Sequence, residues 1–178
     1  MEKRPDANNV YLVGLMGSGK TTIGRSLAKR LDLDFVDSDR VVEERTGVTI
    51  PTVFEIEGED GFRKRESRVI AELSRMRGLL VATGGGAVLH PENRTYLKTS
   101  GFVIYLNVPP HLLWERTRHD KNRPLLKVPN PLLRLRELFI ERDPYYREIA
   151  DLVVDGSRMR ASGILQLLIK EIGEQWKR

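Results

Sequence analysis

At 178 residues the chain has the length of one compact domain, and a hydrophobic content of 40% is enough for a substantial core. Lys and Arg number 30 against 25 acidic residues, but acids interrupt the positives, as in Glu43-Glu44-Arg45, so anionic small substrates explain the charge of +5 better than nucleic acid does. The absence of cysteine excludes disulfides and thiolate metal sites and fits a reducing cytoplasm, and no stretch approaches the roughly 18 apolar residues of a membrane span.

Residues 1–9 are polar and mixed in charge, which predicts a flexible tail rather than a secretory signal, with one domain over 10–178. Val10 to Val13 reads as a buried strand. Gly14-Leu15-Met16-Gly17-Ser18-Gly19-Lys20-Thr21 then fills every fixed position of GxxxxGK[ST], and a helical pattern through Ile23, Leu27 and Leu31 follows. Strand, loop and helix in that order predict a cradle for a nucleoside triphosphate. The glycines let amides converge on phosphate oxygens, and the helix adds the positive end of its dipole. Lys20 can reach the β and γ phosphates, while the Thr21 hydroxyl suits Mg²⁺.

Asp34 to Val36 reads as a second strand, ending in Asp37-Ser38-Asp39. Asp37, at the strand end, is placed to hold a water of the Mg²⁺ shell. Two roles stand for Asp39: capping a helix at Val41 or Val42, and accepting hydrogen bonds from the hydroxyls of a phosphate acceptor. Pro51 to Arg63 mixes acids, glycines and the aromatics Phe54 and Phe62, as expected of an acceptor-binding segment. A helix beginning near Gly61 would place Ile70, Leu73 and Met76 on one face.

Leu79 to Ala82 is a third strand, followed by Gly84, Gly85 and Gly86. Three consecutive glycines are costly in backbone entropy, so they predict either close approach of an acceptor or a purely structural turn. Phe102 to Leu106 is a fourth strand. Arg118 to Pro131, with prolines at 124, 129 and 131, reads as a mobile lid in which Arg123 can close over the transferring phosphate. Leu132, Leu135, Leu138 and Phe139 mark a further helix, Leu152 to Val154 a fifth strand, and Ile164 to Ile172 the last helix. Such alternation predicts an α/β domain with a mostly parallel sheet, whose ligands bind beyond the carboxyl ends of the strands. Arg63 and Arg142 are candidates to grip a planar carboxylate, although composition alone does not select them from 30 Lys and Arg. His90, His111 and His119 show no metal-ligand spacing.

With these motifs assembled, the chain resembles shikimate kinase from Val10 to about Lys170. The likeness rests on Gly14 to Gly24, Phe35-Val36-Asp37-Ser38-Asp39, Gly58-Glu59, Phe62-Arg63-x-x-Glu66, Thr83-Gly84-Gly85-Gly86-Ala87-Val88, Arg123-Pro124-Leu125-Leu126 and Arg142-x-x-Tyr145. It implies a P-loop NTPase-like three-layer sandwich around a five-stranded parallel sheet of order 2-3-1-4-5. It also implies an acceptor-binding segment near 38–77 and a lid near 118–131. The implied reaction is transfer of the γ phosphate of ATP to the 3-hydroxyl of shikimate, with Mg²⁺.

By the same resemblance Gly17, Ser18, Gly19, Lys20, Thr21, Thr22 and Arg123 would hold the ATP phosphates, and Arg116 would stack on the adenine. Asp39, Arg63, Gly84, Gly85, Gly86 and Arg142 would bind shikimate, with Lys20, Asp39 and Arg123 catalytic. Thr21 would ligate the metal directly and Asp37 through water. A cytoplasmic monomer is expected, without nucleic acid, membrane or obligate protein partner. Two other readings are a kinase for another small acceptor such as gluconate, which should lack the joint Asp39, Arg63, glycine-turn and Arg142 set, and a non-catalytic nucleotide-dependent interaction protein.

Overall fold

The computed structural model describes residues 8–120, 122–157 and 159–176. Its strands are β1 (Asn9–Val13), β2 (Asp34–Asp37), β3 (Leu79–Ala82), β4 (Gly101–Asn107) and β5 (Leu152–Asp155). All pair in parallel, in the order β2-β3-β1-β4-β5. The helices are α1 (Lys20–Leu31), α2 (Ser38–Thr46), α3 (Ile50–Leu73), α4 (Pro91–Ser100), α5 (Pro110–Thr117), α6 (Pro131–Ile149) and α7 (Ala161–Gln175).

The two faces of the sheet follow from the alternation of side chains along each strand. Val10 and Leu12 of β1, with Ile104 and Leu106 of β4, pack against Ile23 and Leu27 of α1 and Ile164 and Leu168 of α7. Tyr11, Val13, Val103 and Tyr105 point the other way, into a core shared with Val69 and Ile70 of α3, Leu97 of α4, Leu113 of α5 and Leu138 of α6. Strands buried on both sides read as unbroken apolar runs, which is why β1, β3 and β4 stand out in the sequence.

The structure departs from expectation in several places. Most of the tail lies outside the described residues, but Asn9 belongs to β1: it is buried, donates to the Met76 carbonyl at 2.8 Å and accepts from the Leu79 amide at 3.0 Å. Helix α3 begins at Ile50 rather than near Gly61, and Gly58 breaks it with φ 70° and ψ −178°. Across that break the Phe54 and Phe62 rings lie 5.0 Å apart. The helix stops at Leu73, so Met76 is exposed instead of sharing the buried face of Ile70 and Leu73. Within the lid stretch Lys121 lies outside the described residues. Pro124–Leu126 forms a 3-10 turn whose Leu126 joins the core and whose Leu125 packs against it, so the segment is anchored at its centre.

Candidate active site

The phosphate loop runs from the end of β1 into α1. Gly17 and Gly19 have φ of 79° and 96°, in the region that disfavours side chains. Gly19 is also the N-cap of α1 and has no side chain to satisfy the first amides of the helix, which leaves them for an anion. Lys20 Nζ donates to the carbonyls of Gly14 at 2.7 Å and Leu15 at 2.9 Å. Burial lowers its pKa to about 8, with Asp39 and Asp37 opposing the shift.

Neighbouring strand ends bring carboxylates to this loop. Thr21 Oγ1 donates to Asp37 Oδ2 at 2.8 Å. Asp37 Oδ1 accepts from the Asp39 and Arg40 amides, so Asp37 is the N-cap of α2. The capping role considered for Asp39 is thereby corrected: Asp39 lies inside the first turn, its side chain free of that duty. Its Oδ1 is enclosed and has no hydrogen-bond partner. Burial, Glu66 and Asp37 raise its pKa to about 7, against the pull of Lys20 and Arg123.

Beyond Asp39 the cavity is framed by two buried arginines. Arg63 Nη1 donates to Glu66 Oε2 at 2.7 Å, and its Nη2 donates to Glu59 Oε1 at 2.9 Å. Its Nε also reaches Glu59, at 3.3 Å, so three of the five guanidinium protons are engaged and two stay free for a ligand. Burial works against the Arg63 charge, but the Glu66 and Glu59 pairs outweigh it and leave its pKa raised. Burial likewise raises the pKa of Glu66, whose Oε1 has no partner. Arg142 on α6 is only 2% exposed, yet its Nε and Nη1 have no hydrogen-bond partners. Burial lowers its pKa, although an arginine stays charged regardless.

The glycine turn after β3 closes the cavity. None of Gly84, Gly85 and Gly86 has positive φ, so backbone conformation does not demand them. Space does. A Cβ at Gly84 would collide with Glu66 Oε1 and stand 2.6 Å from Asp39 Oδ1, and one at Gly86 would overlap the Arg63 guanidinium. The Gly84 amide donates to Ser38 Oγ at 3.0 Å.

All the residues named in advance line one cavity of about 1350 Å³, Thr22, Arg116 and Arg123 included. Arg116 Nη1 donates to the Gly17 carbonyl at 3.3 Å, and Arg123 Nε to Asp120 Oδ2 at 2.9 Å. Met159 and Arg160 line the same cavity near the start of α7; Arg158 lies outside the described residues. Two contributors went unassigned in the sequence reading. Glu66 was legible as an acid one helical turn beyond Arg63. Tyr146, whose hydroxyl donates to the Gly85 carbonyl, pairs with a residue 61 positions away and left no local signal.

A parallel 2-3-1-4-5 sheet with this loop after β1 defines a P-loop NTPase fold, here with a cavity that runs from the loop to Arg63 and Arg142. The shikimate kinase family model matches residues 16–173. The chain belongs to the shikimate kinase family. A shikimate kinase from Dechloromonas aromatica is 60% identical over 163 residues, covering 92% of this chain and 89% of its own. One from Thiobacillus denitrificans is 58% identical over 168 residues, covering 94% and 90%. Among solved structures, the shikimate kinase from Acinetobacter baumannii in complex with shikimate is similar with a TM-score of 0.92 and 48% identity, covering 96% of each chain.

Proposed function

We propose that this protein transfers the γ-phosphoryl group of ATP to the 3-hydroxyl of shikimate, giving shikimate 3-phosphate and ADP. The observation that carries this reading is a set of unsatisfied polar atoms, Asp39 Oδ1 and Arg142 Nε and Nη1, in the cavity that also holds the phosphate loop. A carboxylated ring with neighbouring hydroxyls supplies what each of them lacks. Its carboxylate takes the Arg142 donors and the two free donors of Arg63, and its ring hydroxyls meet Asp39 and the glycine turn.

The hydroxyl oxygen then attacks the γ phosphorus in line, and the bond to the β–γ bridging oxygen breaks as ADP leaves. The hydroxyl's proton passes late in the transfer to Asp39 or to an oxygen of the transferred phosphoryl group. The loop amides, Lys20 and the N-terminus of α1 hold the phosphates, and Arg123, just ahead of the anchored Pro124–Leu126 turn, reaches over the transferring group. Arg116 lies on the adenine side. Asp39 binds and orients the acceptor hydroxyl and stands where it can also take up that proton. Thr21 Oγ1 and Asp37 Oδ2, hard oxygens 2.8 Å apart beside the loop, fit Mg²⁺, which Thr21 would hold directly and Asp37 through water. When bound, Mg²⁺ neutralises charge on the β and γ oxygens.

The use of ATP favours a cytoplasmic enzyme, and a site drawn from one chain favours a monomer, for which sedimentation should return a mass near the sequence value of 20.4 kDa. The test is a panel of shikimate, gluconate and nucleoside monophosphates, scored for ADP release and phosphorylated product. Shikimate 3-phosphate is expected; efficient phosphorylation of another acceptor with none of shikimate would reject the assignment.

A further inference from the structure

Gly85 lies where three elements meet. A side-chain carbon there would stand 3.5 Å from both the Gly14 carbonyl oxygen and the Met16 amide nitrogen, so the glycine turn rests against the phosphate loop. From the opposite side the Tyr146 hydroxyl donates to the Gly85 carbonyl. Tyr146 is buried one helical turn beyond Arg142, so both side chains leave the same face of α6. Its ring is fixed against Tyr105 of β4, with centroids 4.8 Å apart, and the Tyr105 hydroxyl is bonded at 2.8 Å to Asp143 of α6.

A run of three glycines has no side chains with which to fix its own conformation. Holding one carbonyl sets a whole peptide plane, because the peptide is rigid and no cis bond occurs among the described residues. With the Gly85 carbonyl turned to Tyr146, the Gly86 amide points the opposite way. The same hydroxyl is hydrogen-bonded to the Arg142 side chain, so it ties the turn directly to that guanidinium.

We infer that Tyr146 is a positioning residue for the acceptor: its hydroxyl holds the glycine turn at a fixed distance and orientation relative to Arg142. The inference rests on the reading that this pocket takes shikimate. Tyr146 acts through the turn and through Arg142, both on the acceptor side, so its loss should weaken the acceptor's fit while nucleotide binding stands.

Tyr146→Phe keeps the ring and removes the hydroxyl. Tyr105→Phe is the control, deleting a hydroxyl bonded to the same helix but not to the turn. Tyr146→Phe should raise the shikimate KM and the calorimetric Kd about five- to tenfold, the scale of one hydrogen bond, with the ATP KM within about twofold. Tyr105→Phe should stay within about twofold for both substrates, even with some loss of Tm. Unchanged shikimate affinity in Tyr146→Phe, equal effects in the two variants, or a parallel loss for both substrates would overturn the inference. A wild-type protein that makes no shikimate 3-phosphate would instead overturn the reading beneath it.

Discussion

Arg142 carries a buried charge that the free protein satisfies only in part, through Tyr146, so replacing it should separate stability from function. The side chain is 2% exposed, and the nearest carboxylate oxygen, on half-exposed Glu141, is 3.9 Å from Nε. Desolvating an ion costs several kcal/mol, and a guanidinium does not escape by losing its proton. Arg142→Met keeps an unbranched apolar stem of similar reach and deletes the charge. The expected gain for the free protein is on the order of 1–3 kcal/mol, which at this chain length corresponds to a Tm rise of roughly 3–10 °C. Shikimate at one hundred times its Kd should stabilise wild type by about 2.7 kcal/mol and leave the variant unmoved. Thermal unfolding of both proteins, with and without shikimate, reads all four numbers. A free variant less stable than wild type by more than about 1 kcal/mol, or one stabilised by shikimate as wild type is, would refute the argument.

Gly84→Ala should drive a methyl group into Asp39 and Glu66, costing about 1–3 kcal/mol and most of the acceptor turnover while nucleotide affinity holds; kinetics beside nucleotide titration will show it. Asp39, raised to about 7 from its usual 3.8, favours the folded state below pH 4 and loses that contribution as pH rises through 7. Asp39→Asn should therefore flatten the stability profile between pH 4 and 8, by on the order of 2 kcal/mol after allowing for partial solvent access, and parallel urea-unfolding profiles would contradict this. Gly58→Ala meets no neighbouring atom but must adopt φ 70° and ψ −178°, so denaturant titration should show a loss of about 1–3 kcal/mol from backbone strain alone.

The sheet was legible because its central strands are continuous apolar runs, and the phosphate loop because its residue types have few other uses together. Short charged helices were not. In α2 and α4 the buried apolar side chains are Val42 and Leu97 alone, too few to mark a period. The choice of cap between Asp37 and Asp39 depends on where β2 stops, and two aspartates two apart look alike until that is known. The glycine run left two readings open, close approach of an acceptor or a structural turn, and Gly84 and Gly86 leave room for the protein's own Glu66, Asp39 and Arg63. Those contacts span strands and helices far apart in the chain, beyond any local pattern. Arg63 and Arg142 could not be told from other basic residues by composition; their motifs selected them, and burial now sets them apart.

The lodging of Lys20 Nζ on the Gly14 and Leu15 carbonyls bears on how a catalytic cycle ends. When the diphosphate departs, the ammonium has two oxygens within 3 Å to return to, so emptying the loop strands no bare cation indoors. Nucleotide affinity is then the difference between two satisfied arrangements rather than the full strength of either. An enzyme built this way can grasp a triphosphate firmly and still let its spent product go.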